Sequence, residues 1–147
     1  MTSPAVALTG RIAFTAYGVP AAQGSLRSLG RGRPTIHSNA ATLLPWRQVV
    51  ASEAAAAMGT LPPWDGPVKV TVGFTLPRPK SARAGALPTS RRMDLDKGCR
   101  AILDALSHVV YDDDSQVVYL QAVKVYEGDH RALIRPGVHV EVMRVTS

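Results

Sequence analysis

The sequence predicts an α+β domain: a small mixed β-sheet with two packed helices, in the order β-α-β-α-β-β. Residues 68–76 alternate as Val68, Val70, Val72, Phe74 and Leu76, the period of a strand with one buried face. Residues 95–107 carry Leu95, Cys99, Ile102, Leu103 and Leu106 at helical spacing, the stripe of a helix lying on a core. With 147 residues, 46% of them apolar, the chain supplies one core and not two, so a single domain over residues 1–147 is expected, the first ten flexible.

The remaining elements follow in order. Ile12 and Phe14 mark a first strand over residues 11–17. Residues 18–39 are rich in Gly, Pro and Ser without periodicity and read as a long loop. An Ala-dense segment, 43–58, reads as a helix with Leu44, Val49, Val50, Ala54 and Ala57 on its apolar face, ended by Gly59 and Pro62-Pro63. Pro77, Pro79, Gly85 and Pro88 exclude regular structure from 77–92. Strands over 116–126 and 138–145 close the domain, joined by a turn at 127–131.

Lys and Arg outnumber Asp and Glu by 17 to 11, a net charge of +6, which suggests an anionic partner such as nucleic acid. One cysteine, Cys99, leaves no intrachain disulfide and no thiolate metal cluster within one chain. The N-terminus lacks the pattern of a signal peptide and no apolar run approaches ~20 residues, so a soluble, cytoplasmic protein associated with the nucleoid is expected, without a membrane partner. Scattered histidines give no zinc pattern, and Gly30 and Gly32 do not make a nucleotide-binding loop, so no nucleotide cofactor is expected.

The acids are unevenly placed. Six of the eleven lie at Asp94, Asp96, Asp104, Asp112, Asp113 and Asp114. Like charges brought together repel, and a divalent cation or basic neighbours can offset that. Mg²⁺ takes carboxylate oxygens, so Asp94, Asp96 and Asp114 are candidate ligands, provided that a chain reversal after Val110 returns Asp114 to the Asp94 end of the sheet. The bland alternative is an N-cap at Asp94 or Asp96 and a solvated turn at Asp112 to Asp114. Two acid-free loops flank the cluster. One carries Arg27, Arg31 and Arg33, the other Arg78, Lys80, Arg83, Arg91 and Arg92, and both suit phosphate contacts.

The run Arg92-Met93-Asp94-Leu95-Asp96-Lys97, continuing to Asp104-Ala105-Leu106, and the run Val110-Tyr111-Asp112-Asp113-Asp114-Ser115-Gln116-Val117 resemble the RusA-like family of Holliday-junction endonucleases. Tyr17-Gly18-Val19-Pro20 and Gln23-Gly24-Ser25 resemble its opening, and Lys124 falls where members carry lysine. The resemblance implies a homodimer that cuts four-way DNA junctions with Mg²⁺ or Mn²⁺ in recombination and repair. It implies that Asp94, Asp96 and Asp114 are the essential carboxylates, with Asp113 in the same motif. A family lysine falls at Arg100, which keeps the charge but cannot give up its proton; Lys97, one turn earlier, is a second basic candidate. Gly98 departs from the family's apolar residue and costs roughly 1 kcal/mol of helix propensity.

Asp104 is expected to form an ion pair with Arg100, four residues before it, or a hydrogen bond to the following loop, with a further metal ligand as the alternative, and Trp46 and Trp64 are expected to pack in the core. Two alternatives stay open: a nuclease for forks or flaps, and a non-catalytic DNA-binding protein of the same fold.

Overall fold

The computed structural model describes residues 10–24, 26–28, 30–32, 35–37, 40–89 and 93–146. Strands β1 (Arg11–Tyr17), β4 (Val68–Leu76), β5 (Val117–Tyr126) and β6 (Gly137–Arg144) form one sheet in the order β1-β6-β4-β5. β6 runs antiparallel to both neighbours, while β4 and β5 are parallel. Helices α1 (Ala40–Met58) and α2 (Leu95–Leu106) pack on each other and on the sheet, α1 against β1 and α2 against β5. This is the predicted α+β order, with one addition. Residues 18–39 contain a short antiparallel hairpin, β2 (Leu26–Ser28) with β3 (Thr35–His37). Three-residue strands are too short to show a period, so the sequence could not announce them.

One continuous core joins the helices to alternate strand residues: Ile12, Phe14 and Ala16, then Val68, Val70, Val72 and Phe74, then Val138, Val140 and Val142. The other sheet face is polar where the register brings side chains together. Arg11 pairs with Glu141 at 2.8 Å, and Thr15 hydrogen-bonds His139 at 2.9 Å. The buried face of α1 is Leu43, Trp46, Val50, Ala54 and Met58; of the predicted face Val50 and Ala54 are buried and Ala57 packs against the core, while Leu44 and Val49 are exposed. The ring of Trp46 sets this rotation, lying beneath Gly18 where a Cβ would come within 3.3 Å of it. Trp64 is buried as well, bridging to Tyr111.

Gly98 is not simply a weak point in α2. A Cβ there would run into the buried Met93 thioether and lie 3.3 Å from Phe74, so glycine lets the helix start sit close on the sheet. Among the described residues no helix is long and apolar enough to cross a membrane.

Candidate metal and nucleic-acid site

α2 is the crossover between two parallel strands, and that decides where the acids lie. Lys124 pairs with Phe74 near the C-terminal ends of β4 and β5, and its Nζ donates to the Met93 carbonyl at 2.8 Å. Asp94, the next residue, therefore stands at that end, with Asp96 in the first turn of α2. Val117, three residues after Asp114, pairs with Val68 at the opposite end. The twelve residues of α2 separate the two groups by about 18 Å. The reversal after α2 is tight: His108, at φ 68°, donates its N–H to the Tyr111 carbonyl, and the Tyr111 hydroxyl donates to the Leu103 carbonyl at 2.7 Å. It leads into the start of β5 and does not return Asp114 to the Asp94 end, because a parallel partner must be entered where β4 begins. Among the described residues, no three His, Cys, Asp or Glu side chains come together as a metal-binding group in one chain.

At the first end, Asp94 has the extended backbone of an N-cap, yet its side chain makes no capping hydrogen bond. Its carbonyl accepts from the Gly98 N–H at 2.8 Å, so the helix begins without use of the carboxylate. The ordinary capping explanation for this acid therefore fails. Asp94 is partly buried; Asp96, Lys97 and Arg100 are exposed. Among the described residues, Arg100 forms no ion pair with Asp104. It lines an open groove between α2 and β5 with Asp96, Leu95, Leu103, Leu120 and Ala122. Cys99, beneath them, has its thiol pushed up to about 11 by burial and by the nearby Asp96 charge, which keeps it protonated and unreactive at neutral pH.

At the second end, Asp113 caps the turn Asp114–Gln116, accepting from the Ser115 N–H at 2.8 Å. That bond holds its carboxyl below the usual range. Burial, then the charge of Asp114 and more weakly those of Asp104 and Asp113, push the Tyr111 hydroxyl up. The residue that organises the acidic loop is Gln116. Its Oε1 accepts from the Asp112 and Asp113 N–H groups at 2.9 and 3.0 Å, and its Nε2 donates to the Trp64 and Gly66 carbonyls, both at 2.9 Å. The sequence held a usable signal for it, the capping-box spacing from Asp113 to Gln116. Gln116→Ala removes four hydrogen bonds and should cost about 1–3 kcal/mol in urea unfolding. DNA cleavage should fall with it because Asp114 loses its frame, and unchanged stability would deny the staple.

The basic candidates divide. Lys80 and Arg31 are exposed, and Arg27 lies on β2. The guanidinium of Arg78 turns back into its own loop, donating to the carbonyls of Ala82, at 3.2 Å, and Arg83. Arg33, Arg91 and Arg92 lie outside the described residues.

A small basic α+β domain with a carboxylate pair at one end of a sheet crossover is compatible with a nuclease. The family model described as "Endodeoxyribonuclease RusA" matches residues 19–142, and the chain belongs to that family. It is also 34% identical over 130 residues to the uncharacterized protein YqaN of Bacillus subtilis (strain 168), a match covering 82% of this chain and 91% of the relative.

Proposed function

We propose that this protein is a homodimeric, Mg²⁺-dependent endonuclease that resolves four-way DNA junctions by paired phosphodiester hydrolysis in recombination and repair, with Mn²⁺ able to replace Mg²⁺. The observation that carries the reading is the Asp94 carboxylate, left out of the helix cap in a chain of an endodeoxyribonuclease family. Asp94 and Asp96 are hard oxygen donors of the kind Mg²⁺ accepts, and one or two carboxylates with waters suffice to hold it. The bound ion would polarise the scissile phosphate and supply hydroxide near neutral pH. Arg100, fixed in charge, neutralises phosphate and does not act as a base. Lys97, Lys80, Arg27, Arg31 and Arg33 contact the backbone of the DNA arms. Lys124, bonded to the Met93 carbonyl, positions the entry to Asp94.

Asp114 joins this site through a second copy. β4 is interior to the sheet, but β5 is an edge strand with Val118, Tyr119, Leu120 and Val123 all exposed. An apolar edge of this kind invites pairing. A two-fold axis that sets β5 antiparallel to its copy reverses the direction of α2. The Asp94 end of one protomer then lies beside the Asp114 end of its partner, with Asp113 next to it.

Cleavage of labelled four-way, three-way, flap and linear substrates with Mg²⁺ tests the reading. Symmetric cuts confined to the four-way junction are expected. Equal cutting of flaps would assign a general branch nuclease, and binding without cutting a non-catalytic protein.

A further inference from the structure

At the C-terminal ends of the parallel strands β4 and β5, the direction in which open sheets of this kind bind ligands, lies a cavity of about 430 Å³. Pro20, Leu76, Pro77, Pro79, Met93 and Tyr126 form its walls. Met93 is at once a wall of the cavity and the residue before Asp94, so the cavity adjoins the carboxylate pair.

Proline rings fix φ at Pro77 and Pro79, and Arg78 between them donates to the Ala82 and Arg83 carbonyls of its own loop. The segment bearing Pro20 is tied to α2 by the Gln23 N–H donating to the Lys97 carbonyl at 3.1 Å. Leu76 and Met93 belong to the core. The pocket is open to solvent, so a ligand can enter it from the surface.

The lining identifies the occupant. Among the described residues it presents no charged side chain. It does present an aromatic ring, Tyr126, and flat proline faces, beside a loop carrying Lys80 and a helix start carrying Lys97. A nucleotide matches this division: a flat, apolar-faced base inside, its phosphate outside among cations and metal. Stacking of a base on an aromatic ring suits any base and needs no charge. Taking one base out of the stack costs a few kcal/mol, least where its pairing is already broken.

We propose that this cavity takes one unstacked nucleobase of the strand held at Asp94 and Asp96, with Tyr126 as its stacking platform, and so fixes which phosphate is cut. The inference rests on the reading of the protein as a branched-DNA nuclease. The test places 5-iododeoxyuridine at each nucleotide flanking the branch of a synthetic four-way junction. Complexes with the Asp114→Asn protein, which is expected to bind without cutting, are irradiated and the cross-linked peptide is mapped by mass spectrometry. One nucleotide position should cross-link to Tyr126. Tyr126→Leu, which keeps apolar bulk, and Tyr126→Ala should each weaken junction binding about tenfold and spread the cuts over neighbouring phosphates, while Tyr126→Phe cuts as the unaltered protein does. A complex that forms at full strength but cross-links only elsewhere overturns the inference, as does an unchanged cut position in Tyr126→Leu. Shielding of Tyr126 in the DNA-free dimer would give the cavity to the partner chain and overturn it too. Failure to bind branched DNA at all would be read separately, as failure of the nuclease reading.

Discussion

Asp94→Asn, Asp96→Asn and Asp114→Asn should each reduce Mg²⁺-dependent junction cleavage by on the order of 100-fold or more while binding persists. Asparagine keeps the shape of the side chain and removes the charge that holds the ion. Binding should hold or tighten, because each change also removes a negative charge from a surface that meets phosphate. Single-turnover cleavage and gel-shift titration of one labelled junction measure both effects. Asp112→Asn is the internal control: that residue is exposed, and its backbone N–H, not its side chain, is what Gln116 holds. Near-normal cleavage by any of the three variants would remove that residue from the site.

The second large effect concerns how the site is divided between protomers. With Asp94 and Asp114 at opposite ends of α2, a helix about 18 Å long, a site that uses both takes them from different chains. Asp94→Asn and Asp114→Asn proteins are each inactive alone on this account. Mixed and allowed to exchange subunits, they form heterodimers in which one composite site has lost both acids and the other has kept both. Nicking activity should therefore return in the mixture, up to about half of the dimers at equal concentration if exchange is random. Were each site built within one chain, every site in the mixture would still lack one acid and no activity would appear. Leu120→Arg, on the exposed β5 edge, should abolish the rescue by blocking assembly.

Much of this fold was legible in the sequence, because its strands and α2 obey a single period. β1, β4 and α2 begin and end within a residue of their expected bounds, since alternation of buried and exposed positions is itself what specifies them. The face of α1 was less legible. Its alanines are apolar without being bulky, so they do not choose a direction, and Leu43 and Trp46 do. The direction of β5 was not legible at all. A strand's pattern is the same whether it pairs parallel or antiparallel, and that one fact sends Asp114 to the far end of α2. The motif named the acids, but spacing along the chain could not say which end of the sheet each would occupy. Gln116 was half legible: the capping-box spacing from Asp113 marked its local role, while its partners Trp64 and Gly66 lie some fifty residues away in sequence.

Paired cutting by a two-fold dimer is tested most directly on a supercoiled plasmid bearing one extruded cruciform. The protein, sedimenting at about twice its 15.7 kDa chain mass, should convert the plasmid mainly to linear product with Mg²⁺, since two sites related by the junction's own symmetry cut opposed strands within one encounter. Sedimentation as a monomer, with nicked circles accumulating in place of linear DNA, would contradict it.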